Sequence, residues 1–98
     1  MKTFVIIPAY NEEKTIGNVI DELKKNHYEN IVVVNDCSKD NTEKISLKKG
    51  ASVLNHMINR GQGASLATGN EYALRNGADI IVHFDADGQM MANEIKDM

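Results

Sequence analysis

The sequence predicts an α/β fold: a doubly wound, mostly parallel sheet between two layers of helices. Two patterns predict it. Four short apolar runs rich in β-branched residues recur, Thr3–Ile7, Ile31–Val34, Ala51–Leu54 and Asp79–Phe84, and apolar runs without alternation are strands buried on both faces. Three segments with helical spacing separate them, so the order β-α-β-α-β-α-β calls for parallel strands joined by crossover helices.

Taken in order, the first strand run is ended by Pro8. In the first helix Ile16, Val19, Ile20 and Leu23 fall at i, i+3, i+4 and i+7. Glu12 and Glu13 are expected in its opening turn and Lys24 and Lys25 in its closing one, an order that suits the helix dipole. The second helix is expected to begin at Asp40, with Glu43 reaching back to the cap, and to end at Lys48-Lys49-Gly50, where Gly supplies a left-handed residue. The third is expected from about Gly63 to Asn76, stopping at Gly77. Its first half holds Ala64, Ser65, Ala67, Thr68 and Gly69, small enough to lie close to a sheet or to a ligand. A fourth helix is expected to start near Met91 and run to Met98.

Right-handed crossovers make strands 1, 2 and 3 neighbours, and a third helix that crosses back places strand 4 beside strand 1. The predicted order is 3-2-1-4, ending at strand 4. Its switch point lies between strands 1 and 4, and ligands of open α/β sheets bind there, beyond the carboxyl ends of the strands. Topology therefore selects the loops Pro8–Glu13 and Asp85–Gln89. An exposed edge on strand 4 would also invite pairing between copies, a route to a homo-oligomer.

Composition narrows the function classes. Ninety-eight residues allow one domain. Eleven Lys+Arg against fourteen Asp+Glu give a net charge of −3, and with no basic stripe this argues against a nucleic-acid partner. The single cysteine, Cys37, forms neither an internal disulfide nor a Cys-based metal site, which fits a reducing compartment. The apolar runs are far short of the ~20 residues of a membrane span, and Met1–Pro8 is not a signal peptide. The expected location is cytoplasmic. Attachment to the cytoplasmic face of a membrane would come from a partner or from chain outside these residues.

Asp85-Ala-Asp87-Gly-Gln89 lies where a buried strand breaks into a loop. Two carboxylates and a carboxamide are hard oxygen donors, a set that suits Mg²⁺ or Mn²⁺ holding diphosphate oxygens. A diphosphate approaching Asp85, Asp87 and Asp36 meets like charges, so a divalent cation is needed to reverse the local sign. A turn in which Asp caps the next helix is the plainer alternative. An EF-hand is rejected, because Met90 stands at the sixth position and Lys96 at the twelfth. A strand ending in Asp-x-Asp-Gly also resembles the haloacid-dehalogenase-like phosphatases, with Asp85 as nucleophile. That family carries the motif on its first strand, with Thr or Val at the position of Gln89.

The other strand-end loops carry their own candidates. Tyr10 offers a ring for stacking a planar base, whereas Asn11 and Glu13 are better explained by helix capping. Asp36 can accept the imide N–H of uracil or guanine, or satisfy backbone N–H groups of its turn. Asn59-Arg60-Gly61-Gln62-Gly63 opens the third helix with two glycines that allow close backbone approach to an anion. Leu66 stands where the dinucleotide fingerprint has its third Gly, so that fingerprint is absent. His27, His56 and His83 are scattered singly and read as structural, and Cys37 as a turn filler.

Together Pro8–Glu13, Val34–Asp40, Asn59–Ala64 with Gly69, and Phe84–Gln89 resemble the family 2 glycosyltransferases of the GT-A fold, over nearly the whole chain. The Asp-Ala-Asp-Gly-Gln form is most similar to the branch of dolichyl-phosphate mannosyltransferases and other polyprenyl-phosphate hexose synthases. The resemblance implies inverting transfer of a hexose from a UDP- or GDP-linked sugar to a polyprenyl phosphate or a saccharide, with Mg²⁺ or Mn²⁺ on the diphosphate. It implies that Asp85, Asp87 and Gln89 hold the metal. Pro8, Ala9, Tyr10, Glu12, Asp36, Gly61, Gly63 and Ala86, with Asp85 and Asp87, would bind the nucleotide sugar. Asn35 departs from the family's common Asp, and Cys37 from its common Gly. The family's acceptor segment and general base follow the metal motif, so residues 1–98 are expected to be the donor-binding part, binding donor without efficient transfer. A nucleotide-binding module that never catalyses stays open beside it.

Overall fold

The structure, a computed structural model, describes residues 1–86 and the backbone of 90–97. The elements are β1 (Thr3–Ala9), α1 (Ile16–Lys25), β2 (Asn30–Asn35), α2 (Thr42–Lys48), β3 (Ser52–Asn55), α3 (Gln62–Arg75), β4 (Ile80–Phe84) and β5 (Met90–Asp97). They form one sheet ordered β3-β2-β1-β4-β5. The first four strands are parallel, with Val5 opposite Ile31 and Val82, and Val33 opposite Val53, so the 3-2-1-4 order is observed.

The side-chain period of two divides β1 between the sheet faces. Val5, Ile7 and Ala9 join Ile16, Val19, Ile20 and Leu23 of α1 and Ile31 and Val33 of β2 in one core. Phe4 and Ile6 join Val32, Val34, Ala73 of α3 and Ile81 in the other. That division is the double winding, with α3 crossing to the face that α1 and α2 leave open. Gly69 sets how closely α3 lies: a Cβ there would stand 2.3 Å from Ile6 Cγ2 and 3.1 Å from Val34 Cγ2. The small-residue half of α3 therefore meets the sheet through Gly69.

Four parts of the expected layout are corrected. Pro8 does not end the first strand: β1 runs on to Ala9, with Pro8 opposite Val34 and Ala9 opposite Asn35. The segment after the metal motif is not a helix: β5 runs antiparallel to β4, with Ile80 opposite Asp97 and Phe84 opposite Met90. Beyond β4 lies a row of backbone groups that a helix would leave unpaired, and a returning strand satisfies them. The sheet thus does not end at strand 4, and the edge expected to pair copies is covered by β5. Glu12 and Glu13 precede α1, which has no acidic residue in its first turn; the carbonyl of Glu12 accepts the amides of Thr15 and Ile16 instead. The second helix begins at Thr42 rather than Asp40, and Glu43 does not reach back to it: its Oε2 accepts Asn55 Nδ2 at 2.8 Å. Gly50 and Gly77 end their helices with φ of 89° and 84°, as expected.

Candidate functional site

A cleft of about 140 Å³ opens beyond the carboxyl ends of β1, β2 and β4, lined by Pro8, Ala9, Tyr10, Glu12, Asp36, Gln62, Ser65 and Asp85. It lies at the switch point that topology selected. Pro8, Ala9, Tyr10, Glu12, Asp36 and Asp85 were all singled out in the sequence, and the fold brings them together here. Gly61 is not among the lining residues; its N–H donates to Asp36 Oδ2. Gly63 lies in the first turn of α3, with nothing within 4 Å of where a Cβ would be. Ala86 is buried in the α1-side core and does not line the cleft. Asp87 and Gln89 lie outside the described residues.

The rim is tied together by bonds between side chains of one loop and amides of the next. Asn11 accepts the amide of Lys39 at 2.8 Å and donates its own to Ser38 Oγ at 2.9 Å. The amide of Glu12 donates to Thr42 Oγ1 at 2.9 Å, and that of Glu13 to Asp40 Oδ2 at 3.2 Å. Glu13 Oε1 in turn accepts the amide of Asn41 at 3.2 Å. Asn11 and Glu13 thus hold the loop after β2 rather than capping their own helix. Burial alone would raise the Asp40 carboxyl, but donation from the Thr42 hydroxyl and from the amides of Thr42 and Glu13 holds it below the usual carboxylate range. Thr15 Oγ1 donates to the Ala86 carbonyl at 2.7 Å, which ties the chain just after Asp85 to the start of α1.

The two departures from the family pattern have local explanations. Cys37 holds φ at 62°, a left-handed conformation that Gly reaches at lower cost. Asn35 donates Nδ2 to Asn55 Oδ1 at 2.9 Å, while Asn55 Nδ2 donates to Glu43. The order of that chain requires an amide at position 35, since a carboxylate would meet the Asn55 carbonyl oxygen.

Asp36, only 4% exposed, is the centre of the site. Its Oδ1 accepts the Arg60 amide at 2.8 Å and His56 Nδ1 at 2.8 Å, and its Oδ2 accepts the Gly61 amide at 2.8 Å. Burial by itself raises its pKa; the Arg60 amide, the His56 ring and the Gly61 amide outweigh it and hold the carboxyl below the usual range. The carboxylate therefore stays ionised and fixes the glycine loop at the start of α3, where Gly61 takes φ of 93°. The backbone N–H groups it satisfies belong to the loop after β3, not to its own turn. His56 Nε2 bonds Thr68 Oγ1 at 2.9 Å, so this histidine joins two strand ends and α3. His83 Nε2 bonds Asn70 Oδ1 at 2.8 Å, while His27 follows α1 on the surface with φ of 71°.

Sequence reasoning missed Gln62, Ser65, Thr15 and the network role of His56. The only local signal was position: Gln62 and Ser65 sit on the first turn of a helix that follows a glycine loop, and His56 directly follows a strand.

Three carboxylates, Glu12, Asp36 and Asp85, line the cleft with no Lys or Arg among the lining residues. Such a lining repels a diphosphate unless a cation accompanies it. Among the described residues no three His, Cys, Asp or Glu side chains are grouped to hold a metal; of the expected ligands Asp85 is described. Among the described residues no helix is long and apolar enough to cross a membrane.

Comparison with known proteins bears on the family and the fold. The family model described as Glycosyl transferase family 2 matches residues 4–98. An uncharacterized protein of Methanocaldococcus jannaschii is 48% identical over 93 residues, covering 95% of this chain and 38% of its own. A UDP-N-acetylglucosamine–dolichyl-phosphate N-acetylglucosaminyltransferase of Methanococcus voltae is 41% identical, covering 94% of this chain and 43% of its own. Among solved structures, glucosyl-3-phosphoglycerate synthase of Mycobacterium tuberculosis, in complex with Mn²⁺, UDP-glucose and phosphoglyceric acid, superposes with a TM-score of 0.72 at 27% identity. The superposition covers 87% of this chain and 33% of that one. The chain thus spans about two fifths of the curated relatives it matches.

Proposed function

Because the chain belongs to glycosyl transferase family 2, we propose that its cleft is the donor site of a hexosyltransferase, taking a UDP- or GDP-linked sugar for inverting transfer to a polyprenyl phosphate or a saccharide. One observation carries this reading. An ionised carboxylate offers about four acceptor positions; on Asp36 three are filled by His56, Arg60 and Gly61. The position left on Oδ2, in a carboxylate that lines the cleft, suits an N–H donor, and the imide N–H of uracil and the ring N–H of guanine both supply one. Tyr10, 44% exposed at the mouth, offers its ring to the face of the same base.

The cleft is smaller than the ~300–1,000 Å³ of a complete small-molecule site, in keeping with a nucleoside subsite whose diphosphate extends toward Asp85. A divalent cation held by Asp85, with Asp87 and Gln89, would neutralise the diphosphate and ease its departure. Around it the chain's residues bind and orient: Asp36 holds the base, Gly61 and Gly63 let the loop after β3 come close, and Thr15 fixes the backbone after Asp85. In the transfer an acceptor oxygen forms the new bond to the sugar's anomeric carbon as the bond to the diphosphate oxygen breaks, and the electron pair leaves with the diphosphate. A polyprenyl phosphate is already an anionic nucleophile and needs no general base. The acceptor site, membrane association and cytoplasmic location belong to this proposal. The Methanococcus voltae relative, named for a dolichyl-phosphate acceptor, supports the lipid class.

Calorimetric titration with UDP, GDP, UDP-glucose and GDP-mannose, with and without Mn²⁺, tests the reading. Metal-dependent binding that is lost in Asp87→Ala supports it. Absence of binding to all four with Mn²⁺ present refutes it. Phosphorylation of Asp85 by a phosphoryl donor would favour the phosphatase alternative.

A further inference from the structure

His56 is enclosed, its side chain 7% exposed, and both ring nitrogens are engaged. Asp36 is ionised and can only accept, so the hydrogen between them sits on His56 Nδ1. Thr68 Oγ1 bonds Nε2 on the other side of the ring and prevents the imidazole from turning. A carboxylate held by two loop amides alone could still rock about χ2, and its oxygens could exchange which of them faces the cleft. The Nδ1–H bond removes that freedom, because it fills the second position on Oδ1 beside the Arg60 amide.

We propose that His56, fixed by Thr68, is the positioning residue of base recognition: it saturates Asp36 Oδ1, so that a single acceptor position on Oδ2 is presented to the ligand. This rests on the donor-site reading and deepens it into a rule of selection. A base with an N–H at that edge, uracil or guanine, is accepted. Cytosine, which presents an unprotonated ring nitrogen there, sets one acceptor against another and is rejected. Misplaced polar edges of this kind discriminate strongly, because a buried acceptor is left unpaired.

The test compares UDP with CDP by titration in Mn²⁺, for the unaltered chain and for His56→Ala, His56→Asn and Thr68→Val. Folding of each variant is followed by circular dichroism. The unaltered chain is expected to prefer UDP by about tenfold or more, the scale of one charge-assisted hydrogen bond. His56→Ala is expected to bring the UDP:CDP ratio close to one, and His56→Asn, whose amide can donate from near the position of Nδ1, to recover most of it. A merely structural histidine would lower both affinities together and leave the ratio unchanged; that result in folded His56→Ala overturns the proposal. If His56→Ala does not fold, Thr68→Val gives the same comparison, with a partial fall in the ratio expected and an unchanged ratio contradicting it. Nitrogen-15 NMR of the ring, which needs no ligand, separates the two levels. A proton on Nδ1 supports the positioning bond even if no nucleotide binds, in which case the donor reading has failed; a bare Nδ1 overturns the proposal whatever binds.

Discussion

Replacing Asp36 by Asn keeps the shape and removes the charge. The carboxylate accepts from His56 Nδ1, the Arg60 amide and the Gly61 amide, each at 2.8 Å. An amide turned to keep its oxygen on His56 and Arg60 places its NH₂ against the Gly61 N–H, so one bond is lost and two are weakened. Hydrogen bonds to a charged group contribute roughly 1.5–3 kcal/mol each, which puts the loss at about 2–4 kcal/mol after partial retention. That is a large share of the ~5–15 kcal/mol of a domain this size, and a Tm lower by on the order of 10–20 °C. Urea denaturation of Asp36→Asn beside the unaltered chain measures it. The pH dependence adds a second check. The folded Asp36 pKa is lowered, so its stabilisation is fully present above the unfolded value of ~3.9 and disappears as pH falls through the folded value. The gap between the two proteins should therefore hold from pH 7 to about pH 4 and narrow below that. A loss under about 0.5 kcal/mol at pH 7, the size of an ordinary surface substitution, or a gap that widens in acid, would mean that these three bonds do not hold an ionised Asp36.

Three further perturbations follow from the packing. Gly69→Ala places a methyl 2.3 Å from Ile6 Cγ2 on a β-branched strand residue; overpacking of ~1–3 kcal/mol outweighs a helix-propensity gain of ~1 kcal/mol, and equal or higher stability in urea would contradict the close approach. Cys37→Gly relieves the left-handed φ of 62° and should stabilise by about 0.5–1 kcal/mol net of the added chain entropy; a lower Tm by calorimetry would count against that strain. Asn35→Asp sets a carboxylate against Asn55 Oδ1 and should cost roughly 1–3 kcal/mol. Adding Glu43→Gln lets the chain of bonds reverse and should recover most of it, so additive losses in the double-mutant cycle would contradict the assigned network.

The strand order was legible because each apolar run is β-branched and unalternating, and helix spacing did the rest. The fifth strand was not, because Met90–Asp97 pairs with β4 for the sake of an open edge, a tertiary demand that local pattern does not carry. The same distinction divides the site. Pro8 and Ala9 close β1, Tyr10 and Glu12 follow it, and Asp85 follows β4, so topology alone gathers them at the switch point. Asp36 was legible as a strand-end carboxylate, but its partners were not: His56 lies 20 residues away in sequence, and Thr68 lies 12 beyond His56. The helix starts at Glu12 and Asp40 were misjudged for a related reason. The amide of Glu12 bonds across loops to Thr42, and Asp40 accepts both the Thr42 amide at the start of its own helix and the Glu13 amide of the neighbouring loop, so part of what sets each helix start lies on another segment.

If the cleft takes a nucleoside diphosphate whose charge needs a cation, titration of UDP and GDP into the chain with and without Mn²⁺ shows it. Binding of at least one of them that appears with Mn²⁺ and disappears on its removal is the predicted result. Binding that is indifferent to the metal, or no binding of either nucleotide in its presence, would contradict the account.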